Sequence, residues 1–311
     1  MIHNFAHGIM FHHFHSEVHL RTQGSFDKKE FRDILEWLNS NYNINNASDF
    51  LRKKLNNSLN DSDITITFDD GLKSQFDIAL PVLNEMGIEA FFFVYSDALE
   101  KFGDMEIFRL FRTSEFKNID DFYNIFFEKL RLKDIESFNK NLGIFESSSY
   151  LDNGFYSVND RFYRYLRDVV LSHEQFTKTH YSLMKGFNFD IESAKNQLWI
   201  TEEMLKEIYK MGHVIGLHSC SHPTDITKLS KSQQYKEYSM NLQYLEKLIG
   251  SKVVSMSHPC GRYNEDTLEV LTDIGIKIGF LHNISEKNNH SALKIPREDS
   301  ANVYRIMRNS I

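Results

Sequence analysis

Residues 64–94 read ITITFDDGLKSQFDIALPVLNEMGIEAFFFV. The opening Ile64-Thr65-Ile66-Thr67-Phe68 has the β-branched and aromatic composition of a strand, and it ends in Asp69-Asp70-Gly71. A helix is expected from residue 74 to Met86, closed by Gly87 in the position after the last turn that glycine fills at least cost. Ala90-Phe91-Phe92-Phe93-Val94 is then a wholly apolar strand. Strand, helix and strand, with continuous apolar strands, predict a parallel sheet covered on both faces.

The same rhythm extends outward. Gly8-Ile9-Met10-Phe11 reads as a short buried strand leading into His12-His13-Phe14-His15, and residues 26–40 have helical spacing of Phe31, Ile34, Leu35 and Leu38. The polar stretch 39–62 is loop-rich, with a short helix at 48–56. Toward the C-terminus, Thr201 caps a helix that ends at Gly212, and Val214-Ile215-Gly216-Leu217 is a strand ending in His218. Ser230 and Gln233 form a capping box for a helix to Ile249. Strands follow at Val253–Met256, Lys277–Leu281 and Leu293–Pro296, with a helix at Asn264–Asp273. Between residues 100 and 198 the segments 119–132, 159–171 and 173–185 carry helical periodicity and no strand is evident. The expected organisation is therefore a barrel-like α/β domain of about seven strands (residues 1–99 and 199–311) carrying a helical insertion (100–198), which serves either as packing bulk or as a lid.

Composition narrows the function. The 311 residues are 41% hydrophobic and 25% charged, which is ordinary for a globular protein. A formal net charge of -7 with no basic stripe argues against nucleic acid or an anionic membrane as the main partner. The N-terminus lacks a basic region followed by an apolar one, no apolar run is as long as a membrane span, and the only two cysteines, Cys220 and Cys260, lie inside candidate site motifs. These features lead to the expectation of a reduced, cytoplasmic setting. The 26 Phe are assigned partly to core and partly to a sugar-sized groove, and seven of the 14 His, namely His12, His13, His15, His19, His218, His222 and His258, lie in the first 19 residues and at the motifs below.

Two adjacent carboxylates, Asp69 and Asp70, ionise together cheaply only beside a cation, so one is expected to be a metal ligand and the other a base. Alternatively they are a cap and a turn residue. His218-Ser219-Cys220-Ser221-His222 places two imidazoles four residues apart, on one face if the segment makes one helical turn, and Cys220 then points away from both. One carboxylate with two imidazoles leaves open positions for water and substrate, as metal-assisted hydrolysis requires.

Thr67-Phe68-Asp69-Asp70-Gly71 resembles the first motif of the polysaccharide deacetylases, the NodB-homology group of carbohydrate esterases (family four). His218-Ser219-Cys220-Ser221-His222 resembles the second, and Pro259-Cys260-Gly261-Arg262-Tyr263 the third. Leu80–Leu83 and Gly87–Val94 are similar to the family's helix and strand after the first motif. The resemblance covers residues 8–95 and 200–300. It implies a deformed (β/α) barrel that removes an N-acetyl or similar small acyl group from an amino sugar in cell-envelope polysaccharide synthesis. Asp70, His218 and His222 would hold one divalent metal, zinc first, with cobalt, nickel or manganese as alternatives. Asp69 would be the general base, and Pro259, Gly261, Arg262 and Tyr263 would line the substrate groove. Two departures stand out. Ser257 occupies the place of an Arg that orients the base in the family, so Arg297, with Asp299, is the candidate replacement. The late Leu-x-His motif has no match in order, since Leu281-His282 falls too early; His12 is the candidate acid. The alternatives are an amidohydrolase-type metal hydrolase built on His13, His15 and Asp299, and a catalytically silent carbohydrate-binding protein.

Overall fold

The structure, a computed structural model, describes residues 3–100, 103–152, 156–284 and 291–309. Its strands are β1 (His7–Phe11), β2 (Asn43–Ile44), β3 (Asp63–Phe68), β4 (Phe91–Val94), β5 (Val214–Leu217), β6 (Ser255–Ser257), β7 (Ile278–Phe280) and β8 (Arg297–Asp299). They form one sheet in the order β7-β6-β5-β4-β3-β1-β8, with β2 added at the start of β3 and every pairing parallel. Residues 292–296 nearly close it into a barrel. They lie between the two edges, with Ile295 bridged to Phe280 on β7 and the Pro296 carbonyl accepting from the Gly8 amide of β1. This is the deformed (β/α) barrel that the sequence led us to expect.

Alternation along each strand divides the core. Ile64, Ile66, Phe68 and Phe92 pack with helix residues such as Ile34, Leu35 and Leu38. Phe91 and Phe93 face the other way, joining Ile278, Phe280 and Ile295 with Ala47 and Phe50 from the short helix Ala47–Leu55.

The structure corrects the sequence reading at four points. The last strand is Arg297–Asp299, after the expected Leu293–Pro296, which contributes one bridge. Three charged residues carry no strand signature, and they enter the sheet because Arg297 finds its counter-charge there. The predicted strand at Val253–Met256 is displaced to Ser255–Ser257. Two residues of the polar stretch 39–62 form β2. The helix after Asp70 opens as a π-helix, Gln75–Ala79, before Leu80–Met86 becomes regular.

The chain divides into two compact units, Met1–Gly103 with Asn196–Ile311, and Asp104–Lys195. The second is helical, with helices Asp104–Glu115, Ile119–Lys133, Ile135–Glu146, Val158–Tyr165 and His173–Gly186. Its centre is aromatic: Phe108, Phe122, Phe126, Tyr163 and Phe176 surround His180, whose ring stacks on Phe108 at 4.2 Å. Much of the phenylalanine excess is thus core. Among the described residues no helix is long and apolar enough to cross a membrane.

Burial pushes the His180 imidazole down to about 3, outweighing the Phe176 carbonyl that bonds to it, and burial likewise takes His7 and His213 to about 4. The unfolded chain therefore binds more protons than the native one between these values and pH about 6.5. Stability is full above that pH and falls as acid is added. The unfolding midpoint should drop steadily from pH 6.5 to 4, with a shallower slope in His180→Phe; a midpoint that is flat or rises over this window would contradict the account.

Candidate active site

The C-terminal ends of β1, β3, β4, β5, β6 and β7 lead into His12, Asp69, Tyr95, His218, His258 and Leu281. Parallel strands put these residues at one end of the barrel.

After Phe68 the chain leaves strand geometry, and Asp70 takes a left-handed conformation (φ 77°). The two carboxylates, which would point apart in a strand, both turn to His218: its Nε2 lies 3.9 Å from Asp69 Oδ2 and 3.5 Å from Asp70 Oδ1. The 218–222 segment does not make a helical turn. Ser219 (φ 63°) and His222 (φ 53°) are left-handed, and this irregular loop folds the imidazoles toward each other with their Nε2 atoms 3.2 Å apart. Left-handed backbone is uncommon for such residues and is concentrated at functional sites.

Asp70 Oδ1, His218 Nε2 and His222 Nε2 form a triangle with edges of 3.2, 3.5 and 3.5 Å. Tetrahedral zinc with ligand bonds of about 2.0–2.1 Å has ligand–ligand edges near ~3.4 Å, so the three atoms fit one face of such a site. His218 Nδ1 lies 2.9 Å from the Ser257 carbonyl, to which it donates, leaving the Nε2 lone pair directed into the triangle. With both rings unprotonated at Nε2, three lone pairs converge here, a donor set that suits a divalent cation. Burial alone would raise the Asp70 carboxyl, but His218, His222 and His12 hold it well below the usual range. Burial would lower His218, but Asp69 and Asp70 raise it.

Asp69 is held differently. Arg297 makes a bidentate pair with it, Nη1 to Oδ1 and Nη2 to Oδ2, both at 2.7 Å. The same guanidinium donates to Ser257 Oγ at 2.7 Å, to Thr67 Oγ1 at 3.1 Å and, through Nε, to the Leu281 carbonyl. Ser257 Oγ in turn donates to Asp69 Oδ2 at 3.2 Å. A small residue at 257 thus leaves room for a guanidinium arriving from β8. Gly8 on β1 does the same: a Cβ there would stand 2.9 Å from Arg297 Cγ. Burial would raise the Asp69 carboxyl, yet Arg297, His218 and His12 bring it to about 2, so it is ionised at any working pH.

Among the other predicted residues, His12 Nε2 is 3.8 Å from Asp69 Oδ2, on a half-buried side chain. Asp299 Oδ1 accepts the Ala301 amide and so caps the last helix, Ser300–Asn309. Pro259, Cys260 and Gly261 form a short 3₁₀ turn with Cys260 left-handed (φ 51°). Arg262 is exposed, and the Tyr263 ring lies 4.9 Å from His258 and beneath the Lys294 ammonium. Gly261 leaves space for the His282 ring, with which any side chain would collide. Sequence order set His282 aside, but space returns it to this end of the barrel. Cys220 is buried, with its thiol directed to Asp97. His15 forms a separate group with Asp27 and Glu30, and His13 belongs to no ligand cluster among the described residues. The His13-His15-Asp299 arrangement is therefore not assembled.

Gln75 and Tyr95 are among the contributors that the sequence reading missed. Gln75 is buried and its Nε2 donates to both the His12 carbonyl (2.9 Å) and the Asp69 carbonyl (2.6 Å), tying the ends of β1 and β3 together. No sequence signal marks it. Tyr95 stands 5.3 Å from the His222 ring and accepts from Trp199 Nε1; its place just after an apolar strand is a signal that could have found it.

Removing one partner of a buried ion pair strands the other charge, at a cost of about 3–5 kcal/mol. Arg297→Met should lose about that much in urea unfolding, and adding Asp69→Asn should restore a large part of it. Two strictly additive losses would contradict the pairing.

The polysaccharide deacetylase family model matches residues 56–119 and 151–279. The poly-beta-1,6-N-acetyl-D-glucosamine N-deacetylase of Staphylococcus aureus (strain MSSA476) is 30% identical over 97 residues, which are 29% of this chain and 33% of that protein. The match spans only about a third of the length of such curated relatives. Among solved structures, IcaB from Ammonifex degensii superposes with a TM-score of 0.59 at 14% identity, covering 98% of this chain and 96% of that one. The Streptococcus pyogenes deacetylase PplD in complex with acetate has a TM-score of 0.53 at 15% identity, covering 96% and 92%. These superpositions show a shared fold. With the family model matching more than half of its residues, this chain belongs to the polysaccharide deacetylase family.

Proposed function

We propose that the chain is a zinc-dependent N-deacetylase acting on N-acetylated amino sugars of a cell-envelope polysaccharide. The observation that carries this reading is the convergence of Asp70 Oδ1, His218 Nε2 and His222 Nε2 at 3.2–3.5 Å beside a fourth group, Asp69, that is ionised and tied elsewhere. The name of the Staphylococcus aureus relative supports the substrate class.

Asp70, His218 and His222 would hold the ion, with Ser257 fixing the His218 ring. Bound there, zinc would polarise the acetamide carbonyl and acidify a water. Asp69 receives the water's proton at Oδ2, the oxygen that faces His12 and His218. Arg297 keeps that carboxylate in one orientation and unprotonated. His12 passes a proton to the departing nitrogen. The C–N bond breaks, the water oxygen leaves in acetate, and the amine remains on the sugar. Arg262, which is exposed, and Tyr263, beside His258, would contact the saccharide.

Acetate release from N-acetylglucosamine oligomers, measured after chelation and zinc or cobalt add-back, tests the reading. Chelation should abolish activity and zinc restore it, while Asp69→Asn should lower kcat by roughly 10²–10⁴-fold and His218→Ala should remove it. Undiminished acetate release from both variants would overturn the assignment.

A further inference from the structure

The loop that carries both histidines has no regular structure of its own to hold it. Its two left-handed residues, Ser219 and His222, bracket Cys220 and Ser221. Such conformations persist only where the surroundings over-determine them. Asp97 holds the Cys220 carbonyl and thiol, and the backbone donors at Cys220 and Ser221 are held by one helix, Lys231–Ile249. Two of its residues, Glu237 and Asn241, lie one turn apart on the same face.

Asn241 is buried, accepts the His218 amide at 3.1 Å and donates to the Val94 carbonyl at 3.1 Å, fixing where the loop leaves β5. Glu237 takes the far side. Its Oε2 accepts the Cys220 amide (3.2 Å) and the Ser221 amide (2.9 Å), and its Oε1 accepts the Ser221 hydroxyl (2.9 Å). One carboxylate therefore satisfies both backbone donors between the left-handed residues.

We propose that Glu237 is a positioning residue for the metal centre. It clamps the Cys220-Ser221 backbone so that His222 Nε2 stays within 3.2 Å of His218 Nε2 and 3.5 Å of Asp70 Oδ1. It acts through hydrogen bonds to the loop and not through its charge. The inference rests on the reading that Asp70, His218 and His222 hold a divalent ion.

Zinc titration calorimetry on the metal-free full chain tests it, with thermal unfolding of the metal-free protein as the fold control. Glu237→Ala removes all three acceptor bonds, and zinc affinity should fall roughly 10- to 100-fold, the range typical of groups that orient ligands. Glu237→Gln keeps an oxygen for the two amides, and the Ser221 hydroxyl can turn to accept from the new NH₂, so affinity should stay within a few-fold of wild type. Should the alanine variant not fold, Glu237→Leu, of similar reach, carries the same expectation. Wild-type affinity in the alanine or leucine variant would overturn the proposal while leaving the metal reading intact. Equal losses in alanine and glutamine variants would overturn it too, since charge would then be the cause. Absence of zinc binding by wild type would instead remove the metal reading itself, and this inference with it.

Discussion

The buried pair between Arg297 and Asp69 is the constraint around which the rest of the site is arranged. A guanidinium with no exposed surface is costly unless its donors are matched. Here Asp69 and Thr67 on the β3 side, Ser257 on β6 and the Leu281 carbonyl after β7 all accept from it. The side chain arrives from β8, at the seam where residues 292–299 bring the sheet edges together. Barrel closure and the orientation of Asp69 are thus one event: the strand that completes the sheet delivers the charge that fixes the carboxylate. Gly8 and Ser257 are the small residues that make room for it.

Around this anchor the two carboxylates diverge in role through their surroundings. Asp69 faces a permanent cation and is fixed in place. Asp70, turned by its left-handed backbone, faces two imidazoles in a triangle of ligand atoms that a divalent cation would fit. Adjacent residues in sequence therefore take separate places, one locked to a guanidinium and one turned toward two imidazoles, as the proposed roles of base and ligand require. The supporting bonds come from outside the motifs: Gln75 from a π-turn, and Glu237 and Asn241 from one face of a long helix. A π-turn at such a position is a recurrent feature of functional sites.

Much of this was legible in the sequence, for physical reasons. The 64–94 stretch has strand composition, helical spacing and a glycine stop, each a local property, and β3, the following helix and β4 formed accordingly. The clustering of polar residues after apolar strands located the site because parallel barrels put all such ends together. The 218–222 loop brings its imidazoles together without the helical turn that His-x-x-x-His spacing would need to do so, since that spacing is blind to left-handed backbone. The last strand was misplaced because Arg297–Asp299 carries no strand signature apart from its tertiary partners. Gln75 and Glu237 were invisible for a related reason: their roles consist wholly of bonds to distant backbone. The family model, beginning at residue 56 and ending at 279, leaves Arg297 and His12 outside its match; the sequence named both as candidates, and the geometry puts both beside Asp69.

The most direct measurement is a high-resolution crystal structure of the chain grown with zinc, with anomalous scattering used to locate the ion. The account predicts one ion within about 2.2 Å of Asp70 Oδ1, His218 Nε2 and His222 Nε2, with Asp69 outside the ligand set and still paired to Arg297. An ion bound by Asp69, with Arg297 released from it, would contradict the account.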